Sequence, residues 1–154
     1  MDIKEICLTY ETSTNAFLEI VSGLTPADLD LKKGDGWSAR QVIHHMADSE
    51  AQSYARLRRL LAEPDGSIIQ GYDEGAWAEC KTLGYEELPI ENSLAVFKSV
   101  RAASLDVLHR ITESDLEKFG MHSEAGEYTL ATWIKTYSKH PVDHGQQITQ
   151  AVGK

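Results

Sequence analysis

Trp37-Ser38-Ala39-Arg40-Gln41-Val42-Ile43-His44-His45-Met46-Ala47-Asp48-Ser49-Glu50 opens the most strongly patterned helix in the chain. Ser38 stands where an N-cap belongs, a hydroxyl just ahead of an apolar-periodic run that can accept from the first-turn amides. Ala39, Val42, Ile43 and Met46 then recur at three- and four-residue steps, and Leu57, Leu60 and Leu61 continue the stripe. The spacing predicts an amphipathic helix to about Glu63, with one face in a core. Pro64-Asp65-Gly66 ends it. At ~100° per residue, the adjacent His44 and His45 cannot face the same way. His45 falls roughly 110° from the stripe centre, at the edge of the core face, and His44 roughly 150° away, toward solvent.

Working outward, three more segments carry helical periodicity. The first runs from about Ile3 to Gly23, with Ile6, Tyr10, Phe17, Leu18 and Val21 on its stripe. Thr25-Pro26-Ala27-Asp28-Leu29 reads as a single helical turn with proline at its first position. A third long helix starts near Pro89-Ile90 and passes Leu108, and a fourth runs from near Thr129 almost to the C-terminus. Between them, residues 65–88 hold only a short helical piece around Asp73–Glu79, and residues 120–128 form either short strands or a loop. Four comparable helices predict an all-α, four-helix bundle. The connections of roughly two dozen and one and a half dozen residues are long for a plain up-down arrangement, and long connections tend to line sites.

The chain has 154 residues, 42% hydrophobic and 25% charged, the balance of one globular domain spanning residues 1–154 that needs no metal or disulfide staple to fold. A net charge of -9 disfavours nucleic acid and anionic membrane as partners. No apolar stretch reaches the ~20 residues of a membrane span. Met1-Asp2-Ile3-Lys4-Glu5 lacks the apolar core of a signal peptide, so a cytoplasmic location is expected. Cys7 and Cys80 form no metal or redox motif and read as small buried or half-buried side chains.

Six histidines are present. His140 and His144, in His140-Pro141-Val142-Asp143-His144, sit at i and i+4, which stacks both imidazoles on one helix face where they can share an ion. A bare HxxxH is common on helix surfaces, so the spacing is weak by itself. Pro141 removes the hydrogen bond to the Tyr137 carbonyl and predicts either a kink or the start of a new helical segment there. His109 reads as a last-turn histidine that complements the helix dipole, and His122 as a loop residue without a partner.

The run from Trp37 to Glu50 closely resembles the signature of the DinB/YfiT-like superfamily, W-S-x-R-x followed by two aliphatic residues, x-H, an aliphatic residue and A-D-S/A. His140-x-x-x-His144-Gly145-Gln146-Gln147-Ile148 resembles the family's C-terminal H-x-x-x-H-x-x-Q-I. Tyr72-Asp73-Glu74-Gly75-Ala76-Trp77-Ala78-Glu79 is similar to a loop of the YfiT-like branch, which includes metal-dependent hydrolases and thiol transferases. The resemblance spans nearly the whole chain. It implies a DinB-like four-helix bundle, a homodimer, and a metal site made by His45, His140 and His144.

Three neutral imidazoles leave the charge of a divalent ion undiminished and a coordination position open, as in catalytic sites. Zinc suits such a site best, and nickel, cobalt or iron can also occupy it. Asp48, Glu50 and Asp143 are candidates to orient the imidazoles from a second layer. Trp77 is a candidate roof for the pocket, and Trp133 is expected in the core. No serine or cysteine nucleophile motif and no phosphate loop is present. The expected function is hydrolysis, or transfer of a low-molecular-weight thiol to an electrophile, on a small-molecule substrate. The alternatives are a non-enzymatic metal- or ligand-binding stress-response bundle and a purely structural dimerising bundle.

Overall fold

The computed structural model describes residues 2–154. Asp2 caps the first helix, α1 (Ile3–Ser22), by accepting from the Lys4 amide at 3.0 Å, and Gly23 follows it. Thr25 and Asp28 close a capping box over a 3-10 turn, Pro26–Asp30. Ser38 and Gln41 form the same reciprocal pair at the start of α2 (Ala39–Ala62): Ser38 N–H donates to Gln41 Oε1 at 2.8 Å and Gln41 N–H to Ser38 Oγ at 3.2 Å. A short α3 (Glu74–Glu79), capped by Asp73, lies in the long connection. Next come α4 (Glu91–Leu108) and α5 (Leu130–Val152), the latter capped by Thr129. The four long helices lie where the periodicity places them. α5 runs through Pro141 as one helix, so no new segment begins there.

The principal contacts pair α1 with α5 and α4, and α2 with α4 and α5. The consecutive helices α1 and α2 therefore lie across a diagonal of the bundle. This is the arrangement that long crossovers permit, and it brings α2 beside α5.

The connections also build a small sheet. β1 (Ser67–Ile69) pairs in parallel with β2 (Phe119–His122), which pairs antiparallel with β3 (Gly126–Thr129). The β2–β3 pairing takes the strand alternative for residues 120–128. β1 was not expected, because three residues carry no period of their own and their partner is about fifty positions away. A side chain at Gly120 would strike the Ser67 carbonyl oxygen at 2.7 Å, so glycine is what lets β2 approach β1. Beyond β1 the Gln70 carbonyl accepts from Arg56 of α2, and Tyr72 shares a cavity wall with Tyr137 and His140 of α5.

Apolar packing falls into two clusters. One gathers around Tyr10, Leu57, Leu108, Trp133 and Tyr137, the other around Phe17, Ile43, Met46, Phe97 and Ile148. Trp133 is fully buried as expected, and its indole N–H donates to the Ser53 carbonyl at 3.1 Å.

Between these clusters lies a charged pair. Arg101 of α4 is 1% exposed and Glu50 of α2 is 0% exposed. Arg101 Nη1 donates to Glu50 Oε1 at 3.1 Å and to the Tyr137 carbonyl at 2.7 Å. Nη2 donates to the Tyr10 carbonyl and Ser13 Oγ, and Nε to Thr14 Oγ1. One guanidinium thus spends all its donors on the other three long helices, which is how a buried arginine is tolerated. Glu50 belongs to this pair, with its second oxygen accepting from Ser53 Oγ at 2.7 Å. It hydrogen-bonds no imidazole and does not form the second layer suggested for it.

Candidate metal centre

His45 comes from the middle of α2, and His140 and His144 from successive turns of the facing α5. The three Nε2 atoms converge, with His45–His140 at 3.4 Å, His45–His144 at 3.2 Å and His140–His144 at 3.0 Å. Among the described residues this is the one cluster of histidine, cysteine and carboxylate ligand atoms that could hold an ion. Pro141 does not spread the pair that flanks it.

The electrostatics suit a cation. Burial pushes His45 down to about 3, assisted by the neighbouring His144. Burial, then His144, His45 and the Arg101 charge, push His140 down to about 2. Burial also lowers His144, against opposing pulls from Gln147 and Asp143. All three imidazoles are therefore neutral near pH 7 and carry free lone pairs. His144 Nδ1–H donates to Gln147 Oε1 at 2.7 Å, which leaves its Nε2 unprotonated toward the other two. The Nδ1 atoms of His45 and His140 are buried without a hydrogen-bond partner among the described residues, and a cation shared by the cluster would draw a lone pair from each Nε2. A tetrahedral zinc ion holds its imidazole nitrogens about 3.3 Å apart, close to the separations here. The donor set and spacing fit a divalent ion with three protein ligands.

The surroundings differ from expectation in several places. His44 is buried, with Nδ1 2.7 Å from Ser93 Oγ and Nε2 3.0 Å from the Leu88 carbonyl oxygen. It serves the α2–α4 contact and does not point to solvent. Asp48 accepts from the Tyr85 hydroxyl, and Asp143 pairs with Lys139 at the surface. Neither touches an imidazole, so the group that does orient one is Gln147. Its position three residues beyond His144 puts it on the same helix face. Two aromatic rings lie on the cluster, Trp37 at 5.0 Å from His45 and Tyr137 edge-on at 6.1 Å from His140 between centroids. Trp77 instead packs against Tyr72 at 4.6 Å and lines neither cavity beside the cluster.

His109 is the C-cap of α4, just beyond the last turn in which it was expected. His122 is a strand residue whose Nδ1 accepts from the Glu124 and Ala125 amides, and it shares a cavity of about 200 Å³ with His140. A second cavity, of about 460 Å³, opens beside Trp37 and Tyr85. Cys80 lines it and is exposed, unlike the buried Cys7.

The chain is thus a four-helix bundle with diagonal α1 and α2 and with three convergent imidazoles between α2 and α5 that could hold an ion. The family model of the DinB superfamily matches residues 9–148, and the chain belongs to that superfamily. A Bacillus mycoides protein described as a "Putative metal-dependent hydrolase" is 37% identical over 128 residues, covering 79% of this chain and 72% of its own. An Oceanobacillus iheyensis protein of the same description is 35% identical over 117 residues, covering 76% and 66%. Among solved structures, YfiT from Bacillus subtilis is described as "a probable metal-dependent hydrolase with an unusual four-helix bundle topology". It superposes with a TM-score of 0.82 at 27% identity, over 98% of this chain and 87% of that one. A second four-helix bundle protein matches with a TM-score of 0.67 at 21% identity, over 97% and 99%, and shares the fold. No helix of the described residues is long and apolar enough to cross a membrane.

Proposed function

We propose that this chain is a metal-dependent enzyme that activates water, or a low-molecular-weight thiol, for attack on a small electrophilic substrate. The observation that carries this is the convergence of three neutral Nε2 atoms within 3.0–3.4 Å of one another. His45, His140 and His144 would hold the ion, with zinc as the proposed occupant. Bound there, a divalent ion supplies an open coordination position and lowers the pKa of a water or thiol placed on it toward neutrality.

The chain's own groups do the rest. Gln147 keeps the His144 proton on Nδ1, so that Nε2 stays a donor of electrons. Trp37 covers the His45 ring and leaves it fully buried, which keeps competing water off that ligand. The cavity beside His140 gives a substrate a route to the cluster. The descriptions of the relatives favour water as the nucleophile.

The test is a panel of activated esters, amides and thiol-plus-electrophile pairs, run on zinc-loaded protein, on chelated protein and on His144→Ala. Turnover that requires both the ion and His144 is expected. Silence of the zinc-loaded protein across the whole panel contradicts the proposal.

A further inference from the structure

Arg56 of α2 makes its side-chain hydrogen bonds to neutral groups. Its Nη1 donates to the Tyr137 hydroxyl at 3.0 Å and its Nη2 to the Gln70 carbonyl at 2.9 Å, both neutral acceptors. Its Nε is buried with no partner. Among the described residues no carboxylate lies within ion-pair distance of it. A guanidinium partly withdrawn from water, with its Nε buried, gains from an anion that meets it, and its planar fork suits a carboxylate.

Arg56 lines the 200 Å³ cavity that has His140 in its wall. So does Tyr72, whose hydroxyl is also buried without a hydrogen bond. Two exposed carboxylates, Glu74 and Glu124, complete the charged lining. A half-buried positive floor thus lies under a negative rim. The volume is below the roughly 300–1,000 Å³ that takes a whole drug-sized ligand, so the cavity admits one small end group.

We propose that this cavity binds the α-amino-acid end of the substrate, its carboxylate on Arg56 and the Tyr72 hydroxyl and its ammonium on Glu74 and Glu124. A simple anion satisfies Arg56 but meets two rim carboxylates. A simple cation satisfies the rim but meets the guanidinium. Only a ligand with both charges close together satisfies floor and rim at once. Its far end then lies beside the His140 imidazole. The role of that far end rests on the metal-centred function proposed above; the affinity of the amino-acid end does not.

The experiment is an NMR titration of the 15N-labelled chain with L-alanine, acetate and ethylamine, first in chelator and then with zinc. The backbone amides of Gly71, whose N–H donates to the Ser123 hydroxyl at 2.9 Å beside the cavity, and of Ser123 report binding. L-Alanine is expected to bind at least about tenfold more tightly than either single-charge probe, with or without zinc. Arg56→Gln removes that binding. Because Arg56 also ties Tyr137 and Gln70, Glu124→Gln on the exposed turn is the second variant; it weakens L-alanine and strengthens acetate. Equal affinity for the three probes, or unchanged selectivity in Glu124→Gln, overturns the proposal. Selective L-alanine binding in a protein that takes up no zinc supports this site while sinking the metal-centred function. Zinc uptake without selectivity does the reverse.

Discussion

Arg101 Nη1 donates at 2.7 Å to the Tyr137 carbonyl oxygen, the acceptor that Pro141 leaves without its helical partner. The proline that interrupts the hydrogen-bond ladder between His140 and His144 is thus compensated from the opposite side of the bundle. The same guanidinium pairs with Glu50 and lies over the Tyr10 ring at 3.4 Å. The charged layer and the histidine cluster are one construction: the first holds the turn of α5 that presents the second.

Arg101→Met leaves Glu50 buried and unpaired and takes from the Tyr137 carbonyl the donor that replaces its missing helical partner. Urea denaturation of the metal-free protein is expected to show a loss of about 3–5 kcal/mol, and the double variant Arg101→Met/Glu50→Leu to recover much of it. A loss below about 1 kcal/mol in the single variant would show that the pair does not stabilise the bundle.

Gln147→Ala frees His144 Nδ1 without touching a ligand. Competition with a zinc chelator is expected to show affinity reduced about 10–100-fold, with metal-free melting little changed. Unaltered affinity would mean that Gln147 orients nothing.

His44 and His45 separate cleanly. His44→Ala removes hydrogen bonds to Leu88 and Ser93 and is expected to cost about 1–3 kcal/mol of stability while metal content stays as in the unmodified chain. His45→Ala is expected to abolish metal uptake. Equal metal loss in both variants would contradict this division.

Acid should destabilise the metal-free protein through the cluster. His45 at about 3 and His140 at about 2 lie well below the unfolded value near 6.5. Between pH 6.5 and about 3 the unfolded chain therefore binds protons that the folded chain refuses. Stability must fall as pH falls through that window, by at most about 1.4 kcal/mol per pH unit for each histidine. The slope, from denaturant midpoints across the window, should flatten in His45→Leu/His140→Leu. An unchanged slope would place its origin elsewhere.

The four helices were legible because their apolar stripes and caps agree: Ser38 with Gln41 starts α2, and Thr129 starts α5. The wheel separated His45 from His44 correctly for the cluster. It misplaced His44 because the stripe of α2 records one buried face, whereas α4 covers a second through Ser93. Arg101 carried no signal, since an arginine amid helical periodicity looks solvated until its acceptors on three other helices are known. Asp48 and Asp143 stood near the ligands in sequence, but nearer hydrogen-bond partners in space, Tyr85 and Lys139, hold them. β1 and the Arg56 cavity depend on contacts between distant connections, which periodicity does not encode.

The central claim is that His45, His140 and His144 hold one divalent ion. Elemental mass spectrometry of untagged protein, purified without chelator, tests it most directly. The account predicts close to one divalent ion per chain, and its loss in His45→Ala and in His144→Ala. A protein that carries no ion under those conditions, or keeps it in both variants, contradicts the account.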